Sequence, residues 1–147
     1  MATAVTTIRI ERSVEDVFAI VSDVEKDPTY STMVIEARRT SAGRIGIGAT
    51  ATLTSEVLGR RMINDWVITE FEPNVGFAWQ STSGPRPRVG GSMFLEPLNG
   101  ATLLRVTTVT ESRGILKLAD HLVVRIAIRQ FRRDLASLKR LMEEGTP

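Results

Sequence analysis

The sequence lacks cysteine altogether and contains a single histidine, His121. Without cysteine the chain can form no disulfide, no thiolate nucleophile and no cysteine-ligated metal centre. One histidine is too few for a His-rich zinc site. The chain also lacks a Walker loop and a Gly-x-Ser-x-Gly elbow, the motifs typical of phosphate-binding enzymes and serine hydrolases. We therefore expect no metal and no other cofactor.

Long apolar runs are missing as well. No segment approaches the roughly 18 residues that a membrane span requires, and the N-terminus has no signal-peptide layout. We expect a cytoplasmic protein without stable membrane insertion. The 147 residues are not divided by a repeat, a linker or a low-complexity segment, so we expect one domain over residues 1–147.

A strong net charge is absent, because 19 basic residues face 17 acidic ones. The basic residues are nevertheless unevenly placed, since five arginines fall on the final predicted helix. They could attract phosphate or an anionic surface, or they could form a solvated helix back whose cations suit the C-terminal end of the helix dipole. No aromatic residues interleave with them, so we expect no nucleic-acid partner. These arginines are Arg125, Arg129, Arg132, Arg133 and Arg140.

The segment Leu116–Glu143 predicts one long helix. Apolar residues recur every three or four positions along it, which is typical of one helix face. At 1.5 Å per residue the helix is roughly 40 Å long, enough to lie across an entire sheet. Above a strongly curved sheet such a helix leaves a chamber suited to a ligand. The apolar positions are Val124, Ile128, Phe131, Leu135, Leu138 and Met142.

The preceding residues read mainly as strands and turns. Val5–Glu11 predicts a first strand, and Ser13 with Asp16 predicts a capping box for a short helix over residues 14–22. Asp23–Tyr30 predicts a second, broken helical turn. Short turns between the later strands indicate an α+β layout with a curved, seven-stranded antiparallel sheet and its helices on one face. The six later strands are Val34–Arg39, Ala49–Leu58, Arg61–Phe71, Gly76–Thr82, Val89–Glu96 and Thr102–Glu111.

This order of elements, together with specific segments, resembles the Bet v 1-like, START-related superfamily (SRPBCC), in particular its bacterial polyketide cyclase/dehydrase and lipid-transport group. The resemblance implies a helix-grip fold with a cavity between the sheet and the C-terminal helix. Tyr30 stands where tryptophan is more common in that family. The resemblance covers nearly the whole chain but defines no single activity. The matching segments are Ile10–Phe18, Asp23–Tyr30, Ile68–Pro73, Leu95–Pro97 and Leu135–Glu143.

Residues of equal parity on a strand share one face of a sheet, and this rule selects candidate cavity walls. Asn64 shares the face of Trp66, whereas Asp65 and Arg105 are expected to face water, because a buried unpaired charge is costly. Core packing explains each apolar candidate equally well when it is taken singly. The predicted ligand-binding set is Tyr30, Trp66, Ile68, Phe77, Trp79, Phe94, Leu104, Val106, Thr108, Thr110, His121, Val124 and Ile128.

Three functions remain open. The first is binding of a small hydrophobic molecule such as a lipid, a polyketide or an isoprenoid, by a monomer or a homodimer. The second is a cyclase, aromatase or dehydrase reaction in the same cavity, with His121, Tyr30 or Asn64 assisting proton transfer near neutral pH; His121 could equally bond a backbone carbonyl or water. The third is a regulatory or toxin-like role through a partner on the basic helix face.

Overall fold

The computed structural model describes residues 2–57, 59–82, 88–111 and 120–144. These ranges contain β1 (Ala2–Ile10), α1 (Val14–Val21), a 3-10 helix (Val24–Thr29), six further strands and α2 (Asp120–Glu143). The order and type of the predicted elements are confirmed; the predicted helix start at Leu116 lies outside the described residues. The six strands are β2 (Val34–Arg39), β3 (Thr50–Val57), β4 (Arg60–Glu72), β5 (Gly76–Ser81), β6 (Arg88–Leu98) and β7 (Ala101–Glu111).

The seven strands form one antiparallel sheet in the order β1-β7-β6-β5-β4-β3-β2. From β2 to β7 each strand pairs with the next in sequence, as short turns require. The turn between β6 and β7 is Asn99-Gly100, whose φ angles of 48° and 87° are both positive. A two-residue hairpin turn that matches the twist of its strands needs this conformation.

The two short helices start where their capping residues are placed. The Asp16 backbone N–H donates to Ser13 Oγ at 3.2 Å, which satisfies one of the free amides of α1. Asp23 plays the same part for the 3-10 helix, accepting from the Glu25 backbone N–H at 3.2 Å. The predicted broken turn is therefore confirmed as a 3-10 helix that contains Pro28.

The hydrophobic core lies between the concave face of the sheet and the helices. In the C-terminal half of α2 the predicted apolar stripe faces this core, with Leu135 at 1% and Leu138 at 0% exposure. Phe131 packs against the same cluster while partly buried. The buried core members are Ile10, Val17, Phe18, Val21, Tyr30, Phe77, Leu95, Leu104, Val106, Leu135, Leu138 and Met142.

Polar contacts fix the C-terminal half of α2 against β1. Lys139 Nζ donates to the Arg9 carbonyl oxygen at 2.7 Å and to Glu143 Oε2 at 2.5 Å. The same Glu143 oxygen accepts from the Glu11 backbone N–H at 2.7 Å. The hydrogen bonds from Lys139 and Glu11 hold the pKa of Glu143 below its usual value.

The opposite flank of α2 is fixed through Asp134, a buried carboxylate. Asp134 accepts hydrogen bonds from the Thr32 backbone N–H at 3.0 Å, from Ser31 Oγ at 3.1 Å and from Gln130 Nε2 at 3.1 Å. Several donors are what a buried carboxylate needs in order to remain stable. The segment after the 3-10 helix is thereby tied to α2 across about a hundred residues of sequence.

Candidate functional site

The strand register brings four predicted wall residues onto one face of the sheet. Ile68 on β4 lies opposite Trp79 on β5, Trp79 opposite Gly91 on β6, and Gly91 opposite Thr108 on β7. Trp66 lies two residues from Ile68 on the same strand and therefore on the same face. We call these five residues, Trp66, Ile68, Trp79, Gly91 and Thr108, the chamber floor.

Trp79 forms a flat aromatic surface within the chamber floor. A Cβ atom at Gly91 would lie only 2.6 Å from Trp79 Cζ2 and 2.8 Å from the Thr107 carbonyl oxygen, so only glycine fits there without displacement. The indole therefore lies directly against β6, beside the strand position of Thr108. Its other side contacts Phe77, with ring centroids 5.6 Å apart.

Two polar atoms of the chamber floor are buried without a partner. Trp66 Nε1 and Thr108 Oγ1 have no hydrogen-bond partner within the described part of the chain. Buried polar groups in folded proteins are nearly always paired, and an unpaired one costs about 1–3 kcal/mol. Asn64, half-buried on the face of Trp66, adds a neutral polar side chain beside them.

The other predicted wall residues of the concave face belong to the packed core. Tyr30, Phe77, Leu104 and Val106 are buried members of the core cluster. Trp66 and Ile68 are half-buried and stand outside it. The concave face is therefore divided into a packed end and a second region formed by the chamber floor.

The buried Tyr30 pairs with the half-buried Asp27, which was not among the predicted site residues. The Tyr30 hydroxyl donates to Asp27 Oδ1 at 3.0 Å. Burial raises the pKa of Asp27 to about 7, the hydrogen bond from Tyr30 opposes this rise, and Asp23 and Asp134 add to it. Burial likewise raises the pKa of the Tyr30 phenol, which keeps its proton at neutral pH. The available signal was the three-residue spacing between Asp27 in the 3-10 helix and Tyr30, the residue that follows its end.

The prediction that Phe94 lines the chamber is wrong. Phe94 lies opposite Arg105 and Gly76, on the convex face of the sheet, and is 43% exposed. Its neighbour Leu95 belongs to the core cluster, and Met93, which shares the face of Leu95 on β6, packs against that cluster. Side chains alternate along a strand, so a shift of one position changes the face.

The expected outward placement of two charged residues is confirmed. Arg105 is exposed opposite Phe94. Asp65 is exposed as well, and it accepts a hydrogen bond from Thr52 Oγ1 at 2.7 Å.

Three predicted site residues, Thr110, His121 and Val124, have side chains that lie outside the part of the chain that the structure describes. Ile128 is half-buried and borders an open groove on the flank of α2. The groove is also lined by Arg125, Arg129 and Arg132.

The basic face predicted for the final helix is exposed. Within the described residues its arginines make no ion pair. The described ranges also contain no group of three histidine, cysteine or carboxylate side chains able to hold a metal ion. None of the helices in those ranges is long and apolar enough to cross a membrane. The arginines of this face are Arg125, Arg129, Arg132, Arg133 and Arg140.

Comparison with solved structures defines the fold class as helix-grip, the START and Bet v 1-like architecture. A START superfamily protein from Mycobacterium smegmatis matches with a TM-score of 0.83 at 19% identity, over 99% of this chain and 100% of that chain. A protein from Thermus thermophilus matches with a TM-score of 0.83 at 17% identity, over 99% of each chain. The Zhui aromatase/cyclase from Streptomyces sp. R1128 matches with a TM-score of 0.79 at 16% identity, over 95% of this chain and 94% of that chain.

The sequence defines the family more narrowly. The family model for polyketide cyclase / dehydrase and lipid transport proteins matches residues 1–143. The chain therefore belongs to this family, and the resemblance drawn from its sequence segments is confirmed. No curated protein sequence matches the chain.

Proposed function

We propose that the protein binds a small hydrophobic molecule, such as a lipid, a polyketide or an isoprenoid, on the chamber floor beneath the C-terminal helix. The observation that carries the proposal is the division of the concave face. Its packed end is filled by core side chains, whereas Trp66 and Ile68 present half-buried apolar surface outside the core cluster, and the half-buried Trp79 packs against that cluster. Membership of a family that includes lipid transport, and the fold shared with an aromatase/cyclase, support this function.

Ligand uptake is tested with the purified full chain. Native mass spectrometry would detect a molecule that co-purifies, and titration with the neutral dye Nile red would show saturable fluorescence. The variant Ile68→Gln places a polar amide on the chamber floor and should weaken dye binding by about tenfold, because apolar contact is lost. Val67→Gln on the opposite face of β4 is the matched control. No bound molecule and no saturable dye signal would contradict the proposal.

A cyclase-like reaction in the same cavity is the second candidate function. The hydrogen-bonded Asp27–Tyr30 pair favours it, because a carboxyl group with a pKa of about 7 can exchange a proton near neutral pH. Tyr30 belongs to the packed end, so this reaction requires a substrate that extends from the chamber floor to that end. Tyr30, Asn64 and His121 remain the proposed participants. If such a reaction occurs, Asp27→Asn should flatten its pH–rate profile near pH 7. An unchanged profile would remove the pair from the chemistry.

A regulatory or toxin-like role through a partner is the third candidate, favoured by the arginines on α2 that lack ion pairs within the described residues. Binding through this face should weaken as salt rises, because exposed charges are screened. Salt-insensitive partner binding would contradict it. A single domain over residues 1–147, a monomeric or homodimeric state, a cytoplasmic location and the absence of a nucleic-acid partner stay part of the proposal.

A further inference from the structure

The unpaired atoms of the chamber floor restrict the chemistry of its ligand. Trp66 Nε1 and Thr108 Oγ1 are buried and have no hydrogen-bond partner among the described residues. Thr108 is only 7% exposed, so its hydroxyl is shielded from solvent. Because buried polar atoms are nearly always paired in a functional state, these two positions indicate where polar atoms of a bound molecule lie.

The two side chains accept different partners. An indole N–H can only donate, whereas a threonine hydroxyl can donate or accept. The atom that meets Trp66 must therefore be an acceptor. A neutral oxygen, from a ketone, an ester or a hydroxyl group, satisfies both side chains.

The position of the two strands sets the shape of the ligand. Trp66 is on β4 and Thr108 on β7, with β5 and β6 between them. Three strand spacings of about 4.8 Å give roughly 14 Å between their backbones, and both side chains project inwards from a curved sheet. Because the two atoms belong to strands three spacings apart, we assign them to two separate oxygens of one elongated molecule.

The charge of the surrounding residues sets the charge of the ligand. Between β4 and β7, the two cross-strand rows that hold Trp66 and Thr108 contain no charged residue. An ionised carboxylate or phosphate would find no counter-charge within these two rows, and a desolvated anion without one is strongly unfavourable. The rows are Ile68, Trp79, Gly91, Thr108 and Trp66, Ser81, Val89, Thr110.

We infer that the ligand of this chamber is an elongated, neutral, oxygen-bearing apolar molecule, held by hydrogen bonds at Trp66 Nε1 and Thr108 Oγ1 with Trp79 as its flat support. The inference rests on the proposed function and narrows its ligand class. Pure hydrocarbons leave both polar atoms unpaired, and anionic amphiphiles bring an uncompensated charge. Both bind more weakly than the neutral ketone or hydroxyl compound of equal size.

A matched set of naphthalenes tests this ligand class. The first member carries an acetyl group at each end of its long axis, the second carries ethyl groups instead, and the third carries carboxylates. Affinity is measured by displacement of Nile red from the full chain. The diacetyl compound should bind at least about fivefold more tightly than either of the others, the amount that one or two net hydrogen bonds contribute.

Two variants locate the contacts. Thr108→Val keeps the shape of the side chain and removes the hydroxyl, and Trp66→Phe removes the indole N–H. Each should reduce the preference for the diacetyl compound by about 3- to 10-fold and leave affinity for the diethyl compound nearly unchanged. Thr107→Val, on the opposite face of the same strand, is the control.

Thr108→Val should also raise the Tm of the ligand-free protein by about 2–4 °C, because an unpaired buried polar atom is removed.

The outcomes separate this inference from the proposed function. Equal binding of the diacetyl and diethyl compounds, or a preference that survives both variants, overturns the ligand class while hydrophobic binding stands. Preferential binding of the dicarboxylate overturns it too. Failure of every compound and of Nile red to bind overturns the proposed function itself, and the inference with it.

Discussion

The two regions of the concave face differ in what covers them. At the packed end, Leu135 and Leu138 of α2 are almost fully buried against core side chains of the sheet and α1. On the chamber floor, Trp66 and Ile68 are only half-buried and have no place in the core cluster. The same sheet is therefore tightly packed at one end and leaves half-buried apolar surface at the other, where we propose that the ligand binds.

The two regions also differ in how their polar groups are satisfied. Asp134 at the packed end accepts hydrogen bonds from Ser31, Thr32 and Gln130. Trp66 Nε1 and Thr108 Oγ1 have no partner among the described residues. A region that must accept a ligand leaves groups unpaired that a purely structural region would pair. Substitutions at the packed end should therefore change stability, and those on the chamber floor should change binding.

The largest expected effect is at the centre of the packed end. Leu138→Ala removes a fully buried side chain and should lower the free energy of unfolding by about 3–4 kcal/mol, because contacts are lost and a cavity is created. Ile68→Ala on the chamber floor should cost about 1 kcal/mol, since Ile68 is only half-buried. Urea unfolding of both variants measures the difference. Equal losses would remove the distinction between the regions.

The next effect concerns the buried carboxylate. Asp134→Ala leaves the donors of Ser31, Thr32 and Gln130 without their acceptor and should cost about 2–3 kcal/mol in unfolding free energy. Glu36→Gln, an exposed position on β2, should change stability by less than about 0.5 kcal/mol. Nile red affinity of the folded Asp134→Ala protein should be unchanged. A large loss of affinity at unchanged stability would assign Asp134 to the ligand site instead.

Titration of Asp27 gives a smaller, pH-dependent effect. Its pKa is about 7 in the folded protein against 3.8 for the free side chain, so its contribution is complete below pH 4 and is lost as the pH rises through 7. Asp27→Asn cannot ionise. Between about pH 5 and pH 8 the parent protein should therefore lose about 2–3 kcal/mol of stability relative to the variant. Parallel stability curves for the two proteins would show that Asp27 ionises freely when folded.

A smaller loss of stability than for Leu138→Ala or Asp134→Ala, together with a clear effect on binding, is expected at Gly91. In Gly91→Ala the new methyl group would lie 2.6 Å from Trp79 Cζ2 and must displace the indole. We expect about 1–2 kcal/mol of destabilisation and about tenfold weaker Nile red binding. Gly90→Ala on the opposite face meets only the Trp79 carbonyl oxygen at 3.3 Å and is the matched control. Equal dye affinity in the two variants would contradict the position assigned to Trp79.

The sequence alone was sufficient to predict the strands and, for most residues, the face of the sheet on which each side chain lies. Alternation placed Leu104, Val106 and Thr108 together, and the register confirms it. Phe94 was predicted from its aromatic character alone, and the parity that Leu95 sets on the same strand places it on the other face. Alternation predicts which face of the sheet a residue occupies only when it is counted from a core-facing residue of the same strand.

Two polar features could not be predicted from the sequence, because one depends on distant hydrogen-bond donors and the other on burial in the folded chain. Asp134 stands beside the apolar stripe of α2, but its donors Ser31 and Thr32 lie about a hundred residues earlier. The raised pKa of Asp27 depends on burial that only the folded chain produces. Local patterns define elements and faces, whereas such pairings depend on tertiary packing.

The central claim is that ligands bind on the chamber floor. NMR of the indole N–H groups tests it most directly, because the chain has two tryptophans, Trp66 and Trp79, and both belong to the chamber floor. Titration of the labelled full chain with the diacetyl naphthalene should move both indole signals, with the Trp66 signal shifting downfield as its N–H gains an acceptor. Amide signals at Leu138 and Phe94 should remain in place. Saturable binding that leaves both indole signals unmoved would contradict the account.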